Sequence, residues 1–508
     1  MRVKKTLINS IYAVVSYVLI AVLALILRRY FLQYLPTEYL GYEGLFSDIF
    51  AILSIGNLGI GSIILYRMFP AINSKDEATI AKLMSVYRLL YKIVGFGIAA
   101  VGLILIPFLK IIIKGNTLRW SYVYMVYLLQ LVVALCSYFL AYKRVMLEAT
   151  MREAEATKIE TLCTLCSTLI KIVVILGTQN YILYLLVGVL NNIVSNVFVV
   201  HKVNKEFPYV RKPVKIRRED IRELGIGKDL KNNVVQKICS AIYGGTDNIL
   251  ISSIIGISEA GLLSNYSMLT GHFSNMMTKM LNPFQVSIGN YVHSEDQSRA
   301  LDMFKMFDRI GFFMGSFISI SFMALFNPFI ELIFGEKFLL STLFVLFFAV
   351  NQYITYDHKF LCFYRGSFGK YEIDKWFTAI AAALNLIFSI LLAKPLGMAG
   401  IMLGTVIGHM GFWIGRIKVV YSEYVPESVV KYIFRQLMNL VLCAGEMVLT
   451  CYLCSLTPNT VIGFIIKMFI CLLVPNAINF VLFSQTTSMK MIFEYIGKSR
   501  RALSNKNN

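Results

Sequence analysis

The chain has 508 residues, 57% hydrophobic and only 15% charged, with 49 Lys and Arg against 29 Asp and Glu. A soluble domain is about 45–50% apolar and about 25% charged, so this composition excludes an ordinary soluble protein and leaves no polar block for a separate soluble domain. The formal charge of +20 does not point to nucleic acid: most of it sits at the ends of apolar runs on one predicted side, the pattern that orients membrane helices, not on a clustered basic surface.

Arg2, Lys4 and Lys5 precede an apolar run over 7–27. A cleaved signal peptide has an apolar core of only about 7–15 residues, so the run reads as a retained first membrane helix with a cytoplasmic N-terminus. About 14 apolar segments succeed one another, most near the roughly 20 residues that cross a hydrocarbon core. With no water for their backbone groups they must be helices. They are expected over 7–31, 43–68, 86–109, 120–141, 159–178 and 181–200, then 232–255, 261–290, 303–326, 338–362, 374–393 and 398–421, and finally 432–455 and 461–483. The polar stretch 201–231 holds Lys202, Lys205, Arg211, Lys212, Lys215, Arg217 and Arg218, and is expected in the cytoplasm against anionic headgroups. This divides the chain into a first lobe (1–200), a basic linker (201–231), a second lobe (232–421), two added helices (422–485) and a cytoplasmic tail (486–508).

The two lobes share a register. Glu38-Tyr-Leu-Gly41, Ser74-Lys-Asp76 and Pro107-Phe108 are matched by Glu259-Ala-Gly261, Ser294-Glu-Asp296 and Pro328-Phe329, at offsets of 220 or 221. Each match is weak, but a common period across them predicts two similar bundles. The last two helices have no counterpart. Gly400, Gly404, Gly408, Gly411 and Gly415 in the twelfth helix are spaced to let a neighbouring backbone come close. Pro283 and Pro475 are expected to break or kink the eighth and fourteenth helices. External connections at 178–180, 256–259, 394–395 and 457–459 are short, which argues against a membrane polymerase or ligase with catalytic residues on an external loop.

No Gly-x-x-x-x-Gly-Lys-Ser/Thr loop occurs, and Gly56-Asn-Leu-Gly59-Ile-Gly61 lacks the preceding strand that a phosphate loop needs. Cys163/Cys166 and Cys451/Cys454 lie in apolar helices without a nearby His ligand, and read as small apolar residues. No nucleophile–base arrangement stands out, so neither an enzyme nor a cofactor is expected. Charges inside the membrane carry more information. Each costs about 2.5–3.5 kcal/mol or more at the bilayer centre and normally faces a cavity or a partner. Lys171, Asp247, Lys279, Glu446 and Lys467 fall within predicted helices; Arg28 and Arg29 close the first, and Asp48 lies near the outer end of the second. Arg28 and Arg29 either snorkel to the interface or join a cavity, and Glu446 with Lys467 reads as an ion pair between adjacent helices. Lys171, Lys279 and Asp247 are expected to face a cavity, where cations suit a phosphate-bearing substrate.

Over roughly residues 1–485 the chain resembles the multidrug/oligosaccharidyl-lipid/polysaccharide exporter superfamily, and within it the polysaccharide-transporter branch. The resemblance is carried by Lys4-Lys5, Tyr39-Leu-Gly41, Gly56-Asn-Leu-Gly59, the repeated Pro-Phe helix ends and the 14-helix pattern. It implies an all-α membrane protein in which two pseudo-symmetric six-helix lobes enclose a cavity that opens alternately to either face. Helices 13 and 14 are implied to border a groove for a lipid tail. The implied cargo is undecaprenyl-pyrophosphate-linked oligosaccharide, bound near the repeat interface. The resemblance also implies a coupling-ion site at Asp247, Asn385, Ser389 and Thr405, for Na+ or H+. Ser389 is neutral where the relatives carry a carboxylate, which leaves open a proton on Asp247 or coupling to membrane potential. The expectation is a multi-pass flippase of the cytoplasmic membrane serving capsule or O-antigen synthesis. Lys171, Lys279, Arg28 and Arg29 are its cavity cations, and membrane lipid, glycosyltransferases and a polymerase its partners. The alternatives are a lipid II flippase or a cation-coupled drug antiporter of the same fold, and beyond them a membrane polymerase or ligase.

Overall fold

The computed structural model describes residues 2–54, 60–216, 239, 241, 244–292, 300–368 and 371–504. Among these the chain is helical, with no strand. In order, α1 is Arg2–Tyr34, α2 Glu38–Leu53, α3 Ile60–Asn73, α4 Glu77–Leu105, α5 Trp120–Phe139, α6 Glu153–Thr178 and α7 Tyr181–Glu206. The short α8 (Asp247–Leu250) leads to α9 (Ile257–Val292), α10 (Ala300–Phe334), α11 (Thr342–Asp357) and α12 (Lys359–Ser367). Then follow α13 (Tyr371–Leu396), α14 (Met398–Glu423), α15 (Val429–Ser455), α16 (Val461–Phe483) and α17 (Thr487–Ser504). Nine of the described helices are long and apolar enough to cross a membrane. Their outward residues are apolar: Val173 on α6 and Ile462, Leu473 and Val481 on α16 are all more than half exposed. Such a surface is unfavourable in water and suits lipid. The all-α membrane fold expected from the sequence is present.

The chain divides into two compact units, Met1–Ser264 and Asn265–Asn508. The expected linker 201–231 falls in the first of them; its residues from 217 on, including Arg217 and Arg218, lie outside the described residues, as do Gly56, Gly59, Ser294 and Asp296.

In the first unit the repeated sequence acquires a physical meaning. The start of α2 crosses the start of α9 so closely that a Cβ on Gly41 would lie 2.1 Å from the Ile257 carbonyl oxygen, and one on Gly261 would lie 2.3 Å from that of Thr37. Thr37 and Ile257 are themselves one repeat offset apart, so the contact is reciprocal. Lys114 fastens the same end: its N–H donates to the Ser252 carbonyl at 2.9 Å, its carbonyl accepts from Ile257 at 3.0 Å, and Nζ donates to the Ile254 carbonyl at 2.7 Å. Asp76 caps α4 by accepting from the backbone and hydroxyl of Thr79 at 3.0 and 2.6 Å. Those bonds hold its carboxyl below the usual carboxylate range, so the cap is present above that range and lost in acid. Part of the basic charge near the linker is taken up by ion pairs on the protein's own surface. Lys202 pairs with Glu155 and Glu206, both at 2.9 Å, and Arg152 with the same two carboxylates at 2.7 and 2.8 Å.

In the second unit α13 and α14 form a hairpin closed by one residue, Gly397, at φ +59°. The helix thus runs past Lys394-Pro395, where a connection was expected. A Cβ on Gly400, Gly404 or Gly415 would meet Leu392, Ser389 or Phe377 at 2.0–2.3 Å, so the glycine ladder serves close packing against α13. Two sequence expectations need correction here, and of the break or kink expected at Pro283 and Pro475 only the break is ruled out, since α9 and α16 continue through them. Pro328 lies inside α10, which runs on to Phe334, whereas Pro107 marks a real change to a tighter turn at Ile106–Phe108. Glu446 and Lys467 do not pair with each other. Glu446 accepts from Asn479 at 3.3 Å, and Lys467 donates to Asn459 at 3.4 Å. α15 and α16 are inside-out helices: Gln436, Asn439, Cys443, Glu446 and Thr450 are buried at three- and four-residue steps, as are Gly463, Lys467, Cys471, Pro475 and Asn479. The amphipathic α17 packs on α10, with Met489 buried and the Tyr495 hydroxyl donating to Met303 Sδ at 3.4 Å.

Candidate functional site

In the first unit, five helices deliver charged and aromatic side chains to one place. Lys171, from the middle of α6, sets Nζ 4.4 Å from the ring centroid of Tyr184 on α7. This position depends on Gly188, one turn along α7, where a Cβ would lie 3.3 Å from Nζ. Arg28 on α1 donates through Nη1 to Ser264 Oγ at 3.3 Å. Arg28 and Glu43 on α2 are the charged groups that act on Lys171, and both also act on Tyr181 and Tyr184. Glu43 Oε2 is buried without a hydrogen-bond partner. Aromatic rings wall this cluster. Phe31 meets Tyr184 edge-on at 5.2 Å, Tyr39 stacks on Tyr181 at 4.2 Å and 8°, and Tyr122 from α5 lies 6.0 Å from Tyr39. A cation on an aromatic face inside an apolar bundle meets little competing water, so in its charged form it attracts an entering anion strongly.

Of the four expected cavity cations, Lys171 and Arg28 come together. Arg29 is rotated outward and exposed, about 100° round the helix from its neighbour. Lys279 is exposed on α9, in the second unit. Glu43 was missed because it falls at the predicted start of its helix, where a carboxylate needs no special account. Also in the first unit, Asp247 opens α8, and its neighbour Asn248 donates to Asp48 at 2.9 Å.

The other three residues of the candidate ion site meet in the second unit. Asn385 Nδ2 donates to Thr405 Oγ1 at 2.9 Å, while the hydroxyls of Ser389 and Thr405 donate to the Ile401 carbonyl at 3.0 and 3.3 Å. All three are buried, and their bonds tie α13 to α14. The same unit has an apolar groove of about 650 Å³ between α9, α10 and α16, lined by residues including Leu269, Phe273, Phe322, Met468, Phe469 and Leu472. Its lining is almost wholly apolar.

No family model and no curated protein matches the chain. Solved structures do. The lipid II flippase MurJ, in an inward closed conformation, superposes with a TM-score of 0.66 at 13% identity, covering 93% of this chain and 99% of that one. An inward-facing multidrug resistance MATE family transporter of the MOP superfamily gives 0.57 at 14% identity, covering 80% and 96%. The chain is therefore a multi-pass membrane protein with the fold of MOP-superfamily transporters.

Proposed function

We propose that this protein is a flippase that carries a polyprenyl-pyrophosphate-linked oligosaccharide across the cytoplasmic membrane by alternating access, for assembly of a surface polysaccharide. The observation that carries this reading is the Lys171–Arg28 cluster, walled by aromatic rings inside an apolar unit. A pyrophosphate sheds its hydration only where charge-assisted bonds replace it, and two partly buried cations supply them. Lys171 and Arg28 are the phosphate ligands, with the exposed Arg29 and Lys279 as charges on the approach. The groove beside α16 accommodates the polyprenyl tail. Asp247, Asn385, Ser389 and Thr405 are the candidate coupling-ion residues, for Na+ or H+. Both termini lie in the cytoplasm, where the glycosyltransferases that build the cargo work; a polymerase receives it on the other side.

Cells lacking the protein accumulate lipid-linked repeat units on the cytoplasmic leaflet, measured by extraction and mass spectrometry. Normal surface polymer in such cells, with no second flippase present, overturns the proposal. Filling the groove by Leu472→Trp with Met468→Trp lowers export several-fold at unchanged membrane level; equal export removes the groove from the path. A lipid II flippase is the second reading, favoured by the superposition on MurJ. In that case loss of the protein arrests peptidoglycan synthesis and not surface polymer.

A further inference from the structure

We infer that the second unit holds a buried proton-binding site at His358, fixed between the Asp357 carboxylate and the Trp413 indole and separate from the Asn385–Ser389–Thr405 cluster. Its use as a coupling site rests on the transport reading above; its existence does not.

The site is built into a helix junction. α11 ends at Asp357, and His358 is the single residue before α12. Gly311 and Gly315 let α10 run directly against that junction, since a Cβ on either would lie 2.4 Å from the Asp357 carbonyl oxygen or 2.9 Å from its nitrogen. The Asp357 side chain is 0% exposed, and neither of its oxygens has a hydrogen-bond partner. His358 Nε2 lies 3.0 Å from Asp357 Oδ2, and the ring stacks on Trp413 at 4.7 Å and 17°. Nδ1 is buried without a partner.

Other groups reach the site from every helix around it. From α10, Asp308 accepts from Gln436 at 2.8 Å and pairs with Arg435 at 3.2 Å, and Arg309 lies over the Phe483 ring at 3.6 Å. From α15, Arg435 is shared with Glu427, which also binds Lys305 at 3.2 Å, and Tyr432 and Cys443 face the carboxylates. Tyr353 comes from α11, Lys359 from α12, and His409 with Arg416 from α14. Arg435 is thus committed to Asp308 and Glu427, while Arg309 lies on an aromatic face and acts on Asp308 and Asp357 without an ion-pair contact to either. Among the described residues the cationic group in contact with Asp357 is the imidazole.

One ring nitrogen of the neutral imidazole keeps a free lone pair, and a proton delivered as hydronium when the junction opens adds there, leaving water behind. The product is an imidazolium that forms a charge pair with Asp357 and a cation–π contact with Trp413. Because the site is closed to water here, loading and release require the junction to open. That requirement ties the proton to a conformational step.

Trp413 reports on the site directly. In full-length protein carrying Trp120→Phe and Trp376→Phe, in lipid nanodiscs, it is the sole tryptophan, the chain having three. Between pH 8.5 and 5 its emission falls by about half in one step, as an imidazolium quenches the indole stacked on it. His358→Gln abolishes the step. Asp357→Asn moves its midpoint to lower pH by about one unit, because the carboxylate that favours the imidazolium is gone. Flat emission in the parent, or a step that survives in H358Q, overturns the site. If H358Q elutes as aggregate, D357N decides: an unmoved midpoint counts against the proposal. Failure of the flippase reading leaves this titration intact, and a missing titration leaves the lipid intermediates of the null cells unchanged, so the two failures are distinguishable.

Discussion

Lys171→Ala is expected to lower export of lipid-linked cargo at least tenfold while the protein reaches the membrane at its normal level. A hydrogen bond to a charged group contributes about 1.5–3 kcal/mol, and each 1.4 kcal/mol is about tenfold, so one lost phosphate ligand accounts for that factor. Lys171→Ala with Arg28→Ala leaves export at background. Lys171→Met preserves the packing on Tyr184 and removes only the charge, so it should match Lys171→Ala if charge is what counts. Gly188→Leu should act in the same direction, since even its Cβ comes within 3.3 Å of the ammonium. The measurement is surface polymer per unit of membrane-inserted protein. Export above half of wild type in Lys171→Met removes Lys171 from the substrate path.

Gly41→Val and Gly261→Val should each abolish recovery of folded protein. Their Cβ atoms would sit 2.1 and 2.3 Å from backbone oxygens, and a main chain held by its own helix cannot rotate away as a side chain can. Overpacking in a fitted core typically costs about 1–3 kcal/mol, and here the collision is with main chain, so the cost lies at or beyond the upper end. Gly97→Ala is the control: nothing lies within 4 Å of its Cβ position, and it sits inside α4, where Ala is favoured over Gly. Size-exclusion profiles after detergent extraction separate the cases. Monodisperse Gly41→Val protein with wild-type thermal stability contradicts the crossing.

The helices were legible because the bilayer imposes one requirement, long apolar runs with internally paired backbones, and the sequence states it repeatedly. Even the Gly41/Gly261 offset could be read as a repeat, though not as two backbones in mutual contact. What sequence could not supply was rotational phase across helices. Arg28 and Arg29 look equivalent in a string, yet one turns inward and the other outward. Glu446 and Lys467 look like natural partners, yet asparagines on the same pair of helices and their connection take both. The polar core around Asp308, Asp357 and His358 escaped notice for a different reason. These residues lie near helix ends and junctions, where a charged side chain normally meets water, and only the packing of α10 against the junction shows that here it does not.

The one-residue turn at Gly397 bears on how the chain enters the bilayer. Asn385, Ser389 and Thr405 find partners within the α13–α14 hairpin itself. Two strands of nascent helix emerging together can therefore settle each other's amide and hydroxyls before any later segment has been synthesised. Partitioning as a preassembled couple spares each helix the penalty it would meet if it left the translocation machinery alone.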